Sequence, residues 1–204
     1  MHQKYSARGL GVKPTKFAHE VIPYLPKTGT LLDLGAGQGQ DSRFFAHHGL
    51  TVTSTDLTSA ALEISRTLAE KENLSITFQE VDVSQRLPFN DGEFAVVYSH
   101  MALHYFDKET TQKIFAEISR VLKPNGILAI LVNTCEDPEM TDPDFKEIET
   151  DFLENPAGIR KRYFSVSSMS DLTKDHFAEI ILDNKGKTYK DDIETLIRFV
   201  GRKK

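Results

Sequence analysis

Residues 30–39 read Thr30-Leu31-Leu32-Asp33-Leu34-Gly35-Ala36-Gly37-Gln38-Gly39, an apolar run of strand length that stops at three alternating glycines. Such a run bounded by glycine reads as a buried strand. Residues 41–48 beyond it read as a helix, with Phe44, Phe45 and His48 at one-face spacing and Gly49 as the stop. The same alternation repeats outward. Residues 51–56 form a β-branched second strand, and Ser59 is expected to cap a helix running to about Glu72. Residues 75–81 alternate as a third strand, and residues 94–98 are a continuous apolar run suited to a central strand. A helix is predicted over 107–122, closed by Lys123-Pro124-Asn125-Gly126, and a fifth strand over 127–132. Strands and helices in strict alternation predict an α/β fold, a doubly wound and mostly parallel sheet with helices on both faces.

Past Asn133 the pattern changes. Residues 135–144 carry two prolines and five acidic residues with no apolar period, which predicts a loop. Short helices are predicted over 145–153 and over 168–174, the second capped by Ser168. Residues 177–182 and 194–200 read as strands flanking a turn that contains Gly186, an antiparallel C-terminal hairpin that brings the sheet to seven strands. The expected organisation is a single domain over 1–204. Within it, 1–27 form an N-terminal lid or helix, 28–134 the ligand-binding core, 135–165 a substrate-side insertion, and 166–204 the C-terminal helix and hairpin.

Bulk properties narrow the function classes. The chain has 204 residues, 39% hydrophobic and 27% charged, which is globular rather than disordered. Its 25 Lys and Arg against 30 Asp and Glu give a net charge of −5, which disfavours a non-specific nucleic-acid binder. The longest apolar stretch, 127–132, is far short of a membrane helix, the N-terminus lacks a signal-peptide core, and Cys135 stands alone. A cytoplasmic protein without a membrane partner is expected.

The chemistry concentrates at strand ends. In a sheet of this kind ligands bind outside the carboxyl ends of the strands, where the strand order reverses. Three glycines after the first strand suit a turn whose backbone lies close to a ligand. A dinucleotide fingerprint G-x-G-x-x-G requires glycine at position 40, where Gln40 stands, so an NAD(P) site is disfavoured. Asp56 ends the second strand, where a carboxylate can accept both hydroxyls of an adenosine ribose, although a helix-capping role is the alternative. Asp82-Val83 ends the third strand and suits an adenine ring, the acid accepting the exocyclic amine and the valine covering a face. Ser99-His100-Met101-Ala102-Leu103-His104-Tyr105 follows the fourth strand, and His100 and His104 are candidate general bases, with a packed wall as the alternative.

Taken together, these stretches resemble the class I, Rossmann-like S-adenosylmethionine (SAM)-dependent methyltransferases. Residues 31–39 resemble the family's first motif and Thr55-Asp56-Leu57 its acidic second motif. Val81-Asp82-Val83 with Leu87-Pro88-Phe89 resembles the third, residues 94–99 the fourth, and residues 118–126 the motif before the fifth strand. The resemblance implies SAM as cofactor and no metal. It implies that Gly35 and Gly37 pass beside the methionyl part, that Asp33 helps order that turn, that Asp56 holds the ribose, that Asp82 and Val83 frame the adenine, and that Ala36 and Leu57 also bind the cofactor. Ser99 and His100 are then expected near the sulfonium. After the fourth strand the chain carries Ser99-His100-Met101-Ala102 in place of the Asn/Asp-Pro-Pro-aromatic motif, which disfavours DNA amino-group methylation. A small-molecule acceptor is expected. The alternatives are a macromolecular acceptor and a non-catalytic SAM-binding protein of the same fold. Tyr5, Arg8, Gly9 and Gly11 are expected in a lid. Met140, Phe145, Arg160, Arg162 and Tyr163 are expected on the acceptor side; the two arginines are candidates for an anionic acceptor, with a solvated loop as the favoured reading.

Overall fold

The computed structural model describes residues 13–187 and 195–204. Tyr5, Arg8, Gly9, Gly11 and Glu194 lie outside the described residues. The chain enters through α1 (Lys16–Val21), capped by the Thr15 hydroxyl, which accepts from the Ala18 N–H at 3.0 Å. It then runs β1 (Gly29–Leu34), α2 (Gln40–His47), β2 (Leu50–Asp56), α3 (Ser59–Lys71), β3 (Thr77–Glu80), β4 (Phe94–His100), α4 (Lys108–Val121) and β5 (Leu122–Val132). Three short strands follow: β6 (Lys146–Glu149), β7 (Phe152–Glu154) and β8 (Arg160–Arg162). α5 (Val166–Thr173), β9 (Phe177–Gly186) and β10 (Leu196–Lys203) complete the order.

The seven-stranded sheet has the order β3-β2-β1-β4-β5-β10-β9, parallel except that β10 runs antiparallel to both of its neighbours. This is the expected doubly wound sheet with its reversed hairpin. Alternate residues of each central strand feed two separate cores, because successive side chains point to opposite faces. Leu31, Val96, Tyr98 and Leu131 pack on one face with Phe17, Val21 and Phe45. Leu32, Val97, Leu128 and Ile130 pack on the other with Phe115, Ile118 and Phe199. Both faces are covered, so the central strands tolerate almost no polar side chain except at their carboxyl ends. Among the described residues no helix is long and apolar enough to cross a membrane.

Four local readings change. Residues 123–126 do not simply end a helix: Phe94 pairs with Leu122 and Val96 with Ile127, so Lys123-Pro124-Asn125-Gly126 loops out within β5, with Asn125 at φ 63°. Residues 145–153 are not helical but form the β6–β7 hairpin, turned through Asp151 at φ 60°. Ser59 is the first residue of α3, and Thr58 holds the cap position without a side-chain cap bond. The cap of α5 is Ser165 rather than Ser168. The two serines form a reciprocal capping box, each hydroxyl accepting from the other's backbone N–H.

Candidate active site

β1 and β4 are neighbours at the point where the strand order reverses, and the turn after β1 sits at their carboxyl ends. Gly35, Gly37 and Gly39 all adopt positive φ (72°, 56° and 70°), where an L side chain is strained. Their surroundings differ. A Cβ on Gly35 would overlap Ala102 of the loop after β4, and one on Gly39 would overlap Ser65 of α3. A Cβ on Gly37 would meet nothing within 4 Å. Gly35 and Gly39 are therefore required by packing, while Gly37 presents bare backbone to open space. The Arg43 guanidinium, 2.9 Å from both the Gln38 carbonyl and the Glu72 carboxylate, ties the turn to the end of α3.

Beside the turn lies a cavity of about 180 Å³ lined by Asp33, Gly35, Ala36, Gly37, Gln40, Asp41 and His100. Asp33 is buried and accepts from the Ser42 hydroxyl at 2.6 Å. Burial, then the neighbouring Asp41 carboxylate, push its pKa up to about 8, against the Ser42 hydrogen bond. Asp41, also buried, accepts from the Thr15 N–H at 2.7 Å, the Thr15 hydroxyl at 2.8 Å and the Tyr98 hydroxyl at 2.7 Å. Burial, followed by Asp41 itself, holds the Tyr98 hydroxyl well above its ordinary range, so it stays protonated and donates.

At the end of β2, Asp56 accepts from the Gly37 N–H at 2.9 Å through one oxygen. Its other oxygen accepts from the Thr58 N–H at 3.0 Å and the Thr58 hydroxyl at 2.9 Å. Asp56 thus orders the glycine turn and the approach to α3 while remaining half-buried at the strand end. Leu57 beside it is 59% exposed, an apolar surface with nothing to cover it among the described residues. Asp82 is exposed, with one oxygen engaged by Ser84, and the half-buried Val83 packs on the core. Ser99 is buried and donates to the Leu34 carbonyl at 2.8 Å, so its hydroxyl joins β4 to the end of β1.

The loop after β4 begins with Met101 at φ 57°, its N–H held by the Leu131 carbonyl at 2.9 Å. His100 lines the cavity, and its Nε2 is buried with no hydrogen-bond partner among the described residues. Burial lowers its pKa, with Asp41 opposing. His104 is 2% exposed, and its Nδ1 likewise has no partner among the described residues. Burial, then Lys161 and His100, pull it down to about 3, so this imidazole is neutral across the working range.

The insertion packs against the loop after β4, where the Arg162 N–H donates to the His104 carbonyl at 2.7 Å. β6, β7 and β8 make a small antiparallel sheet. Arg162 is buried in it rather than solvated, with Nε donating to the Phe106 carbonyl at 3.0 Å and Nη1 to the Thr150 carbonyl at 3.3 Å. It also pairs with Glu149 and lies over the Phe152 ring. Arg160 is paired with Glu154 at 2.7 Å. Tyr163 donates to Glu139 at 2.5 Å, and Lys161 donates to the same carboxylate. Asp41, Thr15 and Tyr98 were not singled out from the sequence as site residues, and Gln40 was read only as the residue that breaks a dinucleotide fingerprint. Asp41 had only its place in the first turn of α2 to mark it, and its partners come from α1 and β4.

Residues 31–126 match the family described as a methyltransferase domain. Protein Rv1405c of Mycobacterium tuberculosis is 37% identical over 106 residues, 52% of this chain and 38% of that protein. A glycine/sarcosine/dimethylglycine N-methyltransferase of Actinopolyspora halophila is 31% identical over 137 residues, 64% of this chain and 24% of that protein. The chain thus spans well under half the length of these two relatives. Among solved structures, the 1,6-didemethyltoxoflavin-N1-methyltransferase of Burkholderia thailandensis superposes with a TM-score of 0.75 at 20% identity. That superposition covers 98% of this chain and 80% of that one, which carries bound 1,6-didemethyltoxoflavin and S-adenosylhomocysteine. At that identity the likeness establishes the fold.

Proposed function

We propose, from the premise that residues 31–126 form a class I SAM-dependent methyltransferase domain, that this chain transfers a methyl group from SAM to a small-molecule acceptor. One observation carries the reading: the cavity at the β1–β4 switch point brings the bare Gly37 backbone, two buried carboxylates and His100 together, with Asp56 and Leu57 at the next strand end. These residues fit the cofactor: open backbone for its methionyl chain, carboxylates for its cationic groups, and a carboxylate beside an exposed leucine for ribose and base. When bound, SAM supplies a methyl group on a positively charged sulfur, already activated for in-line displacement.

What the chain contributes is mainly position. Holding donor and acceptor in line is worth about 7–11 kcal/mol in well-oriented systems. Asp56 holds the ribose, and Asp82 with Val83 frames the adenine. His100 stands nearest the transferred group and serves as base where the acceptor must lose a proton. His104 is buried, neutral and not among the residues that line the cavity, so the base is assigned to His100. The acceptors printed for the Actinopolyspora and Burkholderia proteins are small, which supports a small acceptor here. Calorimetry with SAM and S-adenosylhomocysteine tests the reading, and no heat from either at millimolar concentration would overturn it.

Two results are expected from this site. Replacing Asp56→Ala removes the ribose acceptor and the carboxylate that holds the Gly37 N–H, so SAM affinity falls about 30- to 100-fold, roughly 2–3 kcal/mol for lost charge-assisted hydrogen bonds. A loss under threefold in calorimetry would remove Asp56 from the site.

The second concerns pH. The Asp33 carboxyl titrates near 3.8 when unfolded and at about 8 in the pocket, so the folded protein binds the extra proton across that window. That contribution to stability is largest below about pH 4 and is lost as pH rises toward 8. A cationic ligand favours the ionised carboxylate, so binding releases a proton below pH 8. SAM affinity is expected to rise from pH 6 to 7.5, by at most about tenfold per unit. Titrations in two buffers of different ionisation enthalpy read the released proton directly, and a flat affinity with no proton release would contradict the assignment.

A further inference from the structure

Asp41 is among the residues that line the cavity, yet it lies in the first turn of α2, beyond the glycine turn itself. Its three hydrogen bonds all come from neutral groups: the Thr15 N–H, the Thr15 hydroxyl and the Tyr98 hydroxyl. Neutral donors fix a carboxylate in place without cancelling its charge, and a buried charge left in this state is costly. Asp33 lines the same cavity with a hydrogen bond from the Ser42 hydroxyl, but burial keeps it protonated up to about pH 8. Asp41 is therefore the carboxylate of this wall best placed to receive a cation.

The partners of Asp41 also have structural duties. Thr15 is the cap of α1, and its hydroxyl serves both Asp41 and the Ala18 N–H. Tyr98 is a fully buried residue of β4, stacked against Phe17 of α1 at 5.6 Å between centroids. A group bound at Asp41 thus acts on the start of α1 and on its packing partner together.

We propose that Asp41 is a cofactor-positioning residue that takes the ammonium of the donor's amino-acid end and couples occupancy of the site to the docking of α1. This rests on the SAM reading above and adds to it the residue, the ligand group and the mechanical consequence. The positive charge, once seated, offsets the cost of burying this carboxylate, so the arrangement that Thr15 and Tyr98 complete around it is favoured. α1 is held more firmly when the amino-acid end is present than when only the nucleoside is.

Two adenosine thioethers separate the effect from general binding. S-adenosylhomocysteine carries the amino-acid end, and 5′-methylthioadenosine lacks it. In calorimetry the Asp41→Asn variant should bind S-adenosylhomocysteine at least tenfold more weakly than the unaltered chain and bind 5′-methylthioadenosine within twofold of it. In the unaltered protein, amide exchange of residues 16–21 should slow with S-adenosylhomocysteine and stay unchanged with 5′-methylthioadenosine. Tyr98→Phe, which keeps the ring and removes one donor to Asp41, should show about a threefold loss for S-adenosylhomocysteine alone. This variant and the exchange comparison decide the matter if Asp41→Asn does not fold. Equal losses for both ligands, or no loss for S-adenosylhomocysteine, overturn the role of Asp41 while leaving the SAM reading intact. Failure of the unaltered protein to bind either thioether overturns the SAM reading, and this proposal with it.

Discussion

The Gly35→Val variant is expected to bind no SAM measurably, with affinity down more than a hundredfold, and to lose about 2–4 kcal/mol of stability. Two physical terms add. The residue sits at φ 72°, which a β-branched side chain resists at a cost of about 1–3 kcal/mol. Its Cβ would overlap Ala102, and the loop after β4 can give way only by moving His100 and Met101. The two strand ends that enclose the donor cavity would be wedged apart. Gly37→Ala is the matched control, since it has similar backbone strain but open space at Cβ. It should melt within a few degrees of the unaltered protein while still weakening SAM. A thermal melt and a SAM titration of both variants check this. Binding by Gly35→Val within threefold of the unaltered chain would show that the turn does not enclose the cofactor.

The second large effect is on stability alone. Arg162→Ala strips the small sheet of its clasp, leaving the Phe106 and Thr150 carbonyls without their guanidinium and Glu149 without its cation. Buried groups left without partners cost about 1–3 kcal/mol each, and the pair is partly exposed at Glu149, so about 3 kcal/mol is expected in total. For a chain of this length that lowers Tm by roughly 6–12 °C. Arg162→Lys keeps the charge but cannot reach both carbonyls, and should fall between. SAM affinity should change little, because the donor cavity has no wall from this sheet. A drop of under 2 °C for Arg162→Ala would mean that the insertion is held by other contacts. The Arg162 Nε and Nη1 serve backbone carbonyls and the side chain pairs with Glu149, so the fold is what this arginine holds.

Much of the core was legible because its causes are local. Residues 94–98 are apolar without a break, as a strand buried on both faces demands, and the three glycines each mark a positive φ. The insertion was not, because its strands are three or four residues long and rich in charge, so they carry no alternating apolar face to mark them. Lys146 faces Glu154 and Glu154 faces Arg160, opposite-charge pairs that hold the strands together without an apolar period. Residues 145–153 therefore looked like a polar helix. The α5 cap slipped by three positions because Ser165 and Ser168 play matching halves of one capping box. Asp41 stayed hidden because its partners, Thr15 and Tyr98, are distant in sequence. Gln40 had been weighed as a missing third glycine. The close packing such a glycine provides is supplied one position earlier, by Gly39 against Ser65.

The place of β10 in the sheet bears on how the protein is made. β5 is buried along its last seven residues, and the neighbour that covers its outer edge is β10. The small sheet, α5 and β9 must all leave the ribosome before that neighbour exists. At about 5–20 residues per second, Ile127-Leu128-Ala129-Ile130-Leu131-Val132 stands as an unpaired apolar edge for several seconds. An edge of that composition invites pairing with other nascent chains. The reversed hairpin thus makes yield in the cell, more than stability in the tube, the quantity most exposed to mutations that slow synthesis or folding of residues 133–195.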